Sequence, residues 1–173
     1  MTEDARAIAI TQGRNLEYLT VGWNSLEAVI AVGFGLLAGS IALVGFGFDS
    51  VIEVSSGMVL MWRLHRDSDP GRREQIEARA LKLVGISFLV LAAYVAYDAV
   101  ASLVRRESPE VSYGGMVLAA LSLVIMPALA RAKRRVAANI SSRALHADAR
   151  QTDICAYLSA ILLGGLLLNA VLG

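Results

Sequence analysis

Asp49 and Glu53 stand in SIALVGFGFDSVIEVSSG, residues 40–57, a stretch otherwise apolar enough to lie in a bilayer. Four residues apart, they sit one turn above each other on one helix face. A carboxylate at the centre of a membrane helix costs about 2.5–3.5 kcal/mol on insertion scales. Two on one stripe call for a ligand, and a doubly charged cation suits paired acids. Asp148, Gln151 and Cys155 make a second stripe in HADARQTDIC, at spacings of three and four. Asp153 points away from that face. Two helices that each offer such a stripe can build a four-coordinate cation site between them. Stacked carboxylates in low dielectric repel, so at least one holds a proton until a cation arrives. Binding then expels the proton, and metal-for-proton exchange is the chemistry this spacing suggests.

The elements that must carry these residues are membrane helices. The 173 residues are 56% hydrophobic with 18% charged, and the charges cluster between apolar blocks. Soluble domains use roughly 45–50% apolar residues with glycine included. The expected fold is all-α, a polytopic membrane bundle forming one domain over residues 1–173. About five helices are expected, over 16–37, 40–62, 80–104, 113–130 and 147–172. Ala38-Gly39-Ser40 is a very short turn. Gly45 and Gly47 invite a close helix–helix approach. Ser112 is a candidate cap for the fourth helix, and Pro127 a candidate kink. Residues 131–150 are expected to continue as helix. The N-terminus, polar and mixed in charge, lacks the apolar core of a signal peptide.

Charge gives the orientation. All but Arg105 and Arg106 of the sixteen Lys and Arg residues fall at the N-terminus, in 63–82 or in 131–150. By the positive-inside rule the N-terminus is cytoplasmic and the C-terminus, after five crossings, is outside. The expected location is integral and multi-pass, in the plasma membrane.

Other polar residues have blander readings. Asn24 and Glu27 share a face in the first block; Asn24 suits an interhelical hydrogen bond, whereas Glu27 is a carboxylate within the span. Asp98 lies near the outer end of the third block, where a wet vestibule explains it. His65 and His146 flank the apolar blocks and read as solvated. A single cysteine, Cys155, excludes an intrachain disulfide. No Ser-His-Asp set or phosphate loop supports an enzyme or an organic cofactor. A net charge of +1 gives no reason to invoke nucleic acid.

SIALVGFGFDSVIE and ALHADARQTDIC resemble the cation diffusion facilitator (cation efflux) family. Its members carry a Ser-x-Ala-Leu run before a metal-binding His or Asp, with an Asp four later; here these positions are Asp49 and Glu53. On the fifth helix, aligned on Ala147-Asp148, the family's His falls at Gln151 and its final Asp at Cys155. Asp148 would then act as a replacement carboxylate. The resemblance runs from about Asn15 to the end and is nearest the small, membrane-only branch of transmembrane protein 163-like transporters. It implies a cation efflux transmembrane domain, here without the last of about six helices. It also implies a divalent metal substrate (zinc, iron or manganese), protons as the exchanged partner, and a homodimer in the lipid bilayer. Oxygen ligands favour manganese, and Cys155 pulls toward zinc. The alternative is a non-transporting membrane protein of assembly or metal sensing.

Overall fold

The computed structural model describes residues 2–67, 71–105 and 112–172. Five helices follow in order: α1 (Glu3–Ala38), α2 (Ile41–His65), α3 (Arg73–Arg105), α4 (Tyr113–Ile140) and α5 (Arg143–Leu172). All five are long and apolar enough to cross a membrane. The fold is the expected all-helical bundle, but most of its helices outrun their apolar blocks. α1 has 36 residues, about 54 Å at 1.5 Å per residue, against a hydrocarbon core of about 30 Å. Hydropathy marks only the stretch that suits lipid. The helix itself continues until its caps stop it.

Those caps are local. The Thr2 hydroxyl accepts from the Ala5 N–H, and Glu3 and Asp4 occupy the first turn, where the helix dipole favours acids. α1 ends at Gly39, whose φ of 60° is left-handed. The next residue, Ser40, caps α2 through the Leu43 N–H. Ser112 caps α4 through the Gly115 N–H. α4 runs through Pro127 and ten residues past the apolar block, to Ile140. The continuous helix expected over 131–150 is in fact broken at Ser141, where φ is 55°. Ser142 then caps α5 through the Leu145 N–H, so α5 begins at Arg143 rather than Ala147. The left-handed Ser141, whose backbone N–H closes α4, and the Ser142 hydroxyl that starts α5 are enough to turn the chain.

α1 packs on α2 and α4, α4 on α5, and α2 and α5 on each other and on α3. A Cβ on Gly47 would lie 2.7 Å from a Val32 methyl and 3.1 Å from the Ala28 carbonyl, so α1 and α2 touch almost backbone to backbone here. Two apolar sets fill the bundle. One gathers Ala31, Leu43, Phe46, Leu118, Met126 and Leu162. The other gathers Leu60, Leu64, Val84, Val136, Ile140 and Leu145. Along α1, α2 and α5, most of the buried polar residues fall between the two sets. Large side chains such as Val29, Leu37, Val124 and Ile161 are exposed and suit acyl chains.

At the end where α2 meets α3, buried charges are paired. Arg6 makes two 2.8 Å hydrogen bonds to the Asp67 carboxylate. Arg63 holds Asp67 at 3.0 Å and Glu77 at 2.7 Å. Burial acts to raise the Asp67 pKa. The Arg6 hydrogen bond and the charges of Arg63, Arg6 and Arg73 outweigh it and hold the carboxyl below its ordinary range. A depressed folded pKa gives stability that is present above the unfolded value of about 3.9 and lost as pH falls through the folded value. The thermal midpoint in detergent is therefore expected to hold at pH 5 and to fall below about pH 4 more steeply than in Asp67→Asn. Equal slopes in the two proteins would contradict this account of the clamp.

Candidate metal centre

α2 and α5 run antiparallel and face each other along their polar stripes. Three levels of contact connect them. At the first, the Cys155 thiol lies beside the Asp49 carboxyl. At the second, the Thr152 hydroxyl donates to Glu53 Oε1 at 2.6 Å. At the third, the Ser56 hydroxyl donates to Asp148 Oδ1 at 2.6 Å. The positions on α2 advance by four and three, those on α5 recede by three and four. This is the register of two helices with a continuous shared face.

Asp49 is 2% exposed, and both its carboxyl oxygens accept no hydrogen bond. Glu53 is 1% exposed; Oε1 is bonded to Thr152 and Oε2 is unpaired. Gln151 is buried with both amide atoms unpaired. Buried polar atoms are normally satisfied, because leaving one without a partner costs roughly 1–3 kcal/mol. A cavity of about 120 Å³ reaches Asp49 between α2, α3 and α5, bordered by Gly45, Tyr94 and Leu162. One water takes about 30 Å³ of liquid, so the cavity has room for a small hydrated group. Tyr94 packs against Phe48 with the rings tilted by 53° and their centroids 5.8 Å apart, and forms one wall.

Asp148 is placed differently from the expected replacement ligand. Its Oδ2 lies 2.5 Å from the Lys133 ammonium, which also lies 3.2 Å from Glu17 Oε2. All three side chains are fully buried. Among the described residues, no three His, Cys, Asp or Glu side chains converge as a metal cluster. The physical reason is visible in the contacts: Asp148 answers to Lys133 and Ser56, and Glu53 to Thr152. Asp153 faces away from this layer and pairs with Arg134.

Beside this layer, Glu27 accepts hydrogen bonds from Ser50 at 3.0 Å and from Ser122. Asn24 donates to the Thr20 carbonyl of its own helix rather than to another helix. His65 and His146 are exposed, as solvated residues would be. The side chain of Asp98 lies outside the described residues, as does Pro70.

Sequence reasoning did not single out Lys133, Glu17, Thr152 and Ser56. Lys133 stands among Arg131, Arg134 and Arg135 and reads as part of a basic segment. Its spacing carried a signal nonetheless. Lys133 is three or four residues from Leu129, Ala130, Val136 and Ala137, all of them buried. That places it on the core-facing stripe of α4.

A comparison with curated proteins and one with solved structures return no match. The model of one protein family, described as the cation efflux transmembrane domain, matches residues 18–172. That match runs from the middle of α1 to the end of α5, with both polar stripes inside it, and the chain belongs to the cation efflux family of membrane cation transporters.

Proposed function

We propose that this chain carries a divalent metal ion across the membrane in exchange for protons, through a site between α2 and α5. Asp49 and Glu53 supply the charge, Cys155 a soft ligand, and Gln151 a neutral oxygen. Asp148 is a carboxylate held in reserve by Lys133. The observation that carries the reading is Asp49: an acid buried in the bundle, with both oxygens unpaired and a cavity leading to it. A structural acid would be bonded, as Glu27 is.

Ionised together, two acids four residues apart repel, and a divalent cation removes that repulsion better than one proton does. Uptake of the ion therefore displaces protons, and the emptied site takes them back. The basic segments at the Arg63–Asp67–Glu77 end support a cytoplasmic orientation for that end by the positive-inside rule. A symmetric pair of chains is the assembly we expect. Zinc is the preferred cargo, because a thiolate ligand favours it over manganese.

The test is flux into liposomes that hold the purified chain and report metal and pH together. Zinc entry with an opposite proton movement is expected. Cys155→Ser should lower the zinc-to-manganese rate ratio by about tenfold, the scale on which ligand softness discriminates. Folded protein that moves no divalent ion would favour an assembly or sensing role instead.

A further inference from the structure

The chain carries a cation of its own inside the bundle. Lys133 is fully buried and is the largest of the fully buried side chains. Its ammonium meets Asp148 at 2.5 Å, Glu17 at 3.2 Å and the Thr152 hydroxyl at 3.5 Å. The same Thr152 hydroxyl donates to Glu53. Asp148 in turn accepts from Ser56. Glu17 lies against α2 where a Cβ on Gly57 would come within 3.3 Å of its Oε2. One ammonium thus ties α1, α2, α4 and α5 at a single level.

That level lies on one side of the cation site. Ser56 is seven residues from Asp49, about 10 Å along α2, toward the end bearing Arg63 and Asp67. Asp148 is seven residues from Cys155 toward the same end of α5. The cavity at Asp49 extends the other way along α2 and α5, beside Gly45, Ala42 and Leu162. Beyond the Lys133 level, Leu60, Leu64 and Leu145 continue the plug.

Resting on the reading of Asp49 and Glu53 as the ion site, we infer that Lys133 is a positioning residue that closes this site toward the end where α2 meets α3. It withdraws Asp148 from the site, fixes Glu53 through Thr152, and occupies with its own charge the position through which a mobile cation must leave. Passage toward that end requires Lys133 to release Asp148. A metal ion reaching Asp148 competes for the same carboxylate. Without the ammonium, two buried carboxyl groups lose their counter-charge and draw in water or a cation.

The sole cysteine reports on this directly, because Cys155 sits in the site. The experiment uses the full chain in sealed vesicles, with sidedness set by trypsin cleavage at the exposed Arg66 and Arg72. A small, charged, membrane-impermeant thiol reagent is added to the face bearing those arginines. In Lys133→Met, Cys155 should react at least about tenfold faster from this face than in the wild type, with little change from the opposite face. A wild-type rate in folded Lys133→Met overturns the inference. If Lys133→Met does not fold, the neutral set Glu17→Gln/Lys133→Met/Asp148→Asn removes the unpaired charges and should show the same one-sided gain. A wild-type rate in that folded variant overturns it equally. Zinc protection of Cys155 is scored separately. Its absence in the wild type would end the ion-site reading, and the one-sided rate without metal would still judge the gate.

Discussion

Asp49→Asn is expected to lower zinc flux by about 100-fold, on the order of 3 kcal/mol, while the chain still inserts and folds. Loss of a group that merely supports a metal ligand costs about 10–100-fold, and loss of the charged ligand should reach at least the top of that range. The companion effect is on stability. Asp49 is buried with neither oxygen bonded, and a neutral amide of the same shape is cheaper to bury than a carboxylate. Thermal stability without metal should therefore be unchanged or higher by about 1 kcal/mol, whereas zinc should stabilise only the wild type. Glu27→Gln makes the contrast. Its carboxylate is already bonded by Ser50 and Ser122, so substitution there should reduce stability. An Asp49→Asn protein that is both less stable and fully active would reverse the roles assigned to these acids.

The second large effect is structural. Glu77, from α3, accepts from Arg63 at 2.7 Å, from Ser142 at 3.0 Å and from the Ala144 N–H at 2.7 Å. It thus caps the N-terminus of α5 and pairs a guanidinium that is only 3% exposed. Glu77→Ala removes both services at once. It should cost about 2–3 kcal/mol, because Asp67 still pairs Arg63 while the Ala144 N–H and Ser142 hydroxyl lose their acceptor. The readout is the thermal midpoint of purified protein in detergent. A loss under about 0.5 kcal/mol would show that solvent or Asp67 replaces the carboxylate, and the cap would lose its assigned importance.

These two sites differ in how plainly the sequence announces them. Asp49 and Glu53 are visible because an acid in an apolar run is costly wherever it points, so hydropathy alone isolates them. The five crossings are visible for the same reason. Glu77 and Lys133 are hidden because their neighbours are also charged, and a charge among charges reads as solvated. Only helical phase distinguishes Lys133 from Arg134, its half-buried neighbour. Thr152 and Ser56 are hidden because a hydroxyl is nearly neutral in hydropathy and can bond within its own helix. The sequence placed Asp148 on the correct face, but the partner that holds it comes from α4, and no spacing within one helix announces a residue from another. Helix ends are hidden where capping, not hydropathy, decides, as at Thr2 and Ser142.

The central claim is that Asp49 and Glu53, with Cys155 opposite, hold the transported ion. Zinc X-ray absorption on the purified full-length chain, beside equilibrium binding, tests it most directly. The account predicts one ion per chain, with oxygen ligands and one sulfur at about 2.3 Å, abolished by Asp49→Asn. A zinc spectrum without sulfur, or tight binding that survives both Asp49→Asn and Glu53→Gln, would place the ion elsewhere and contradict it.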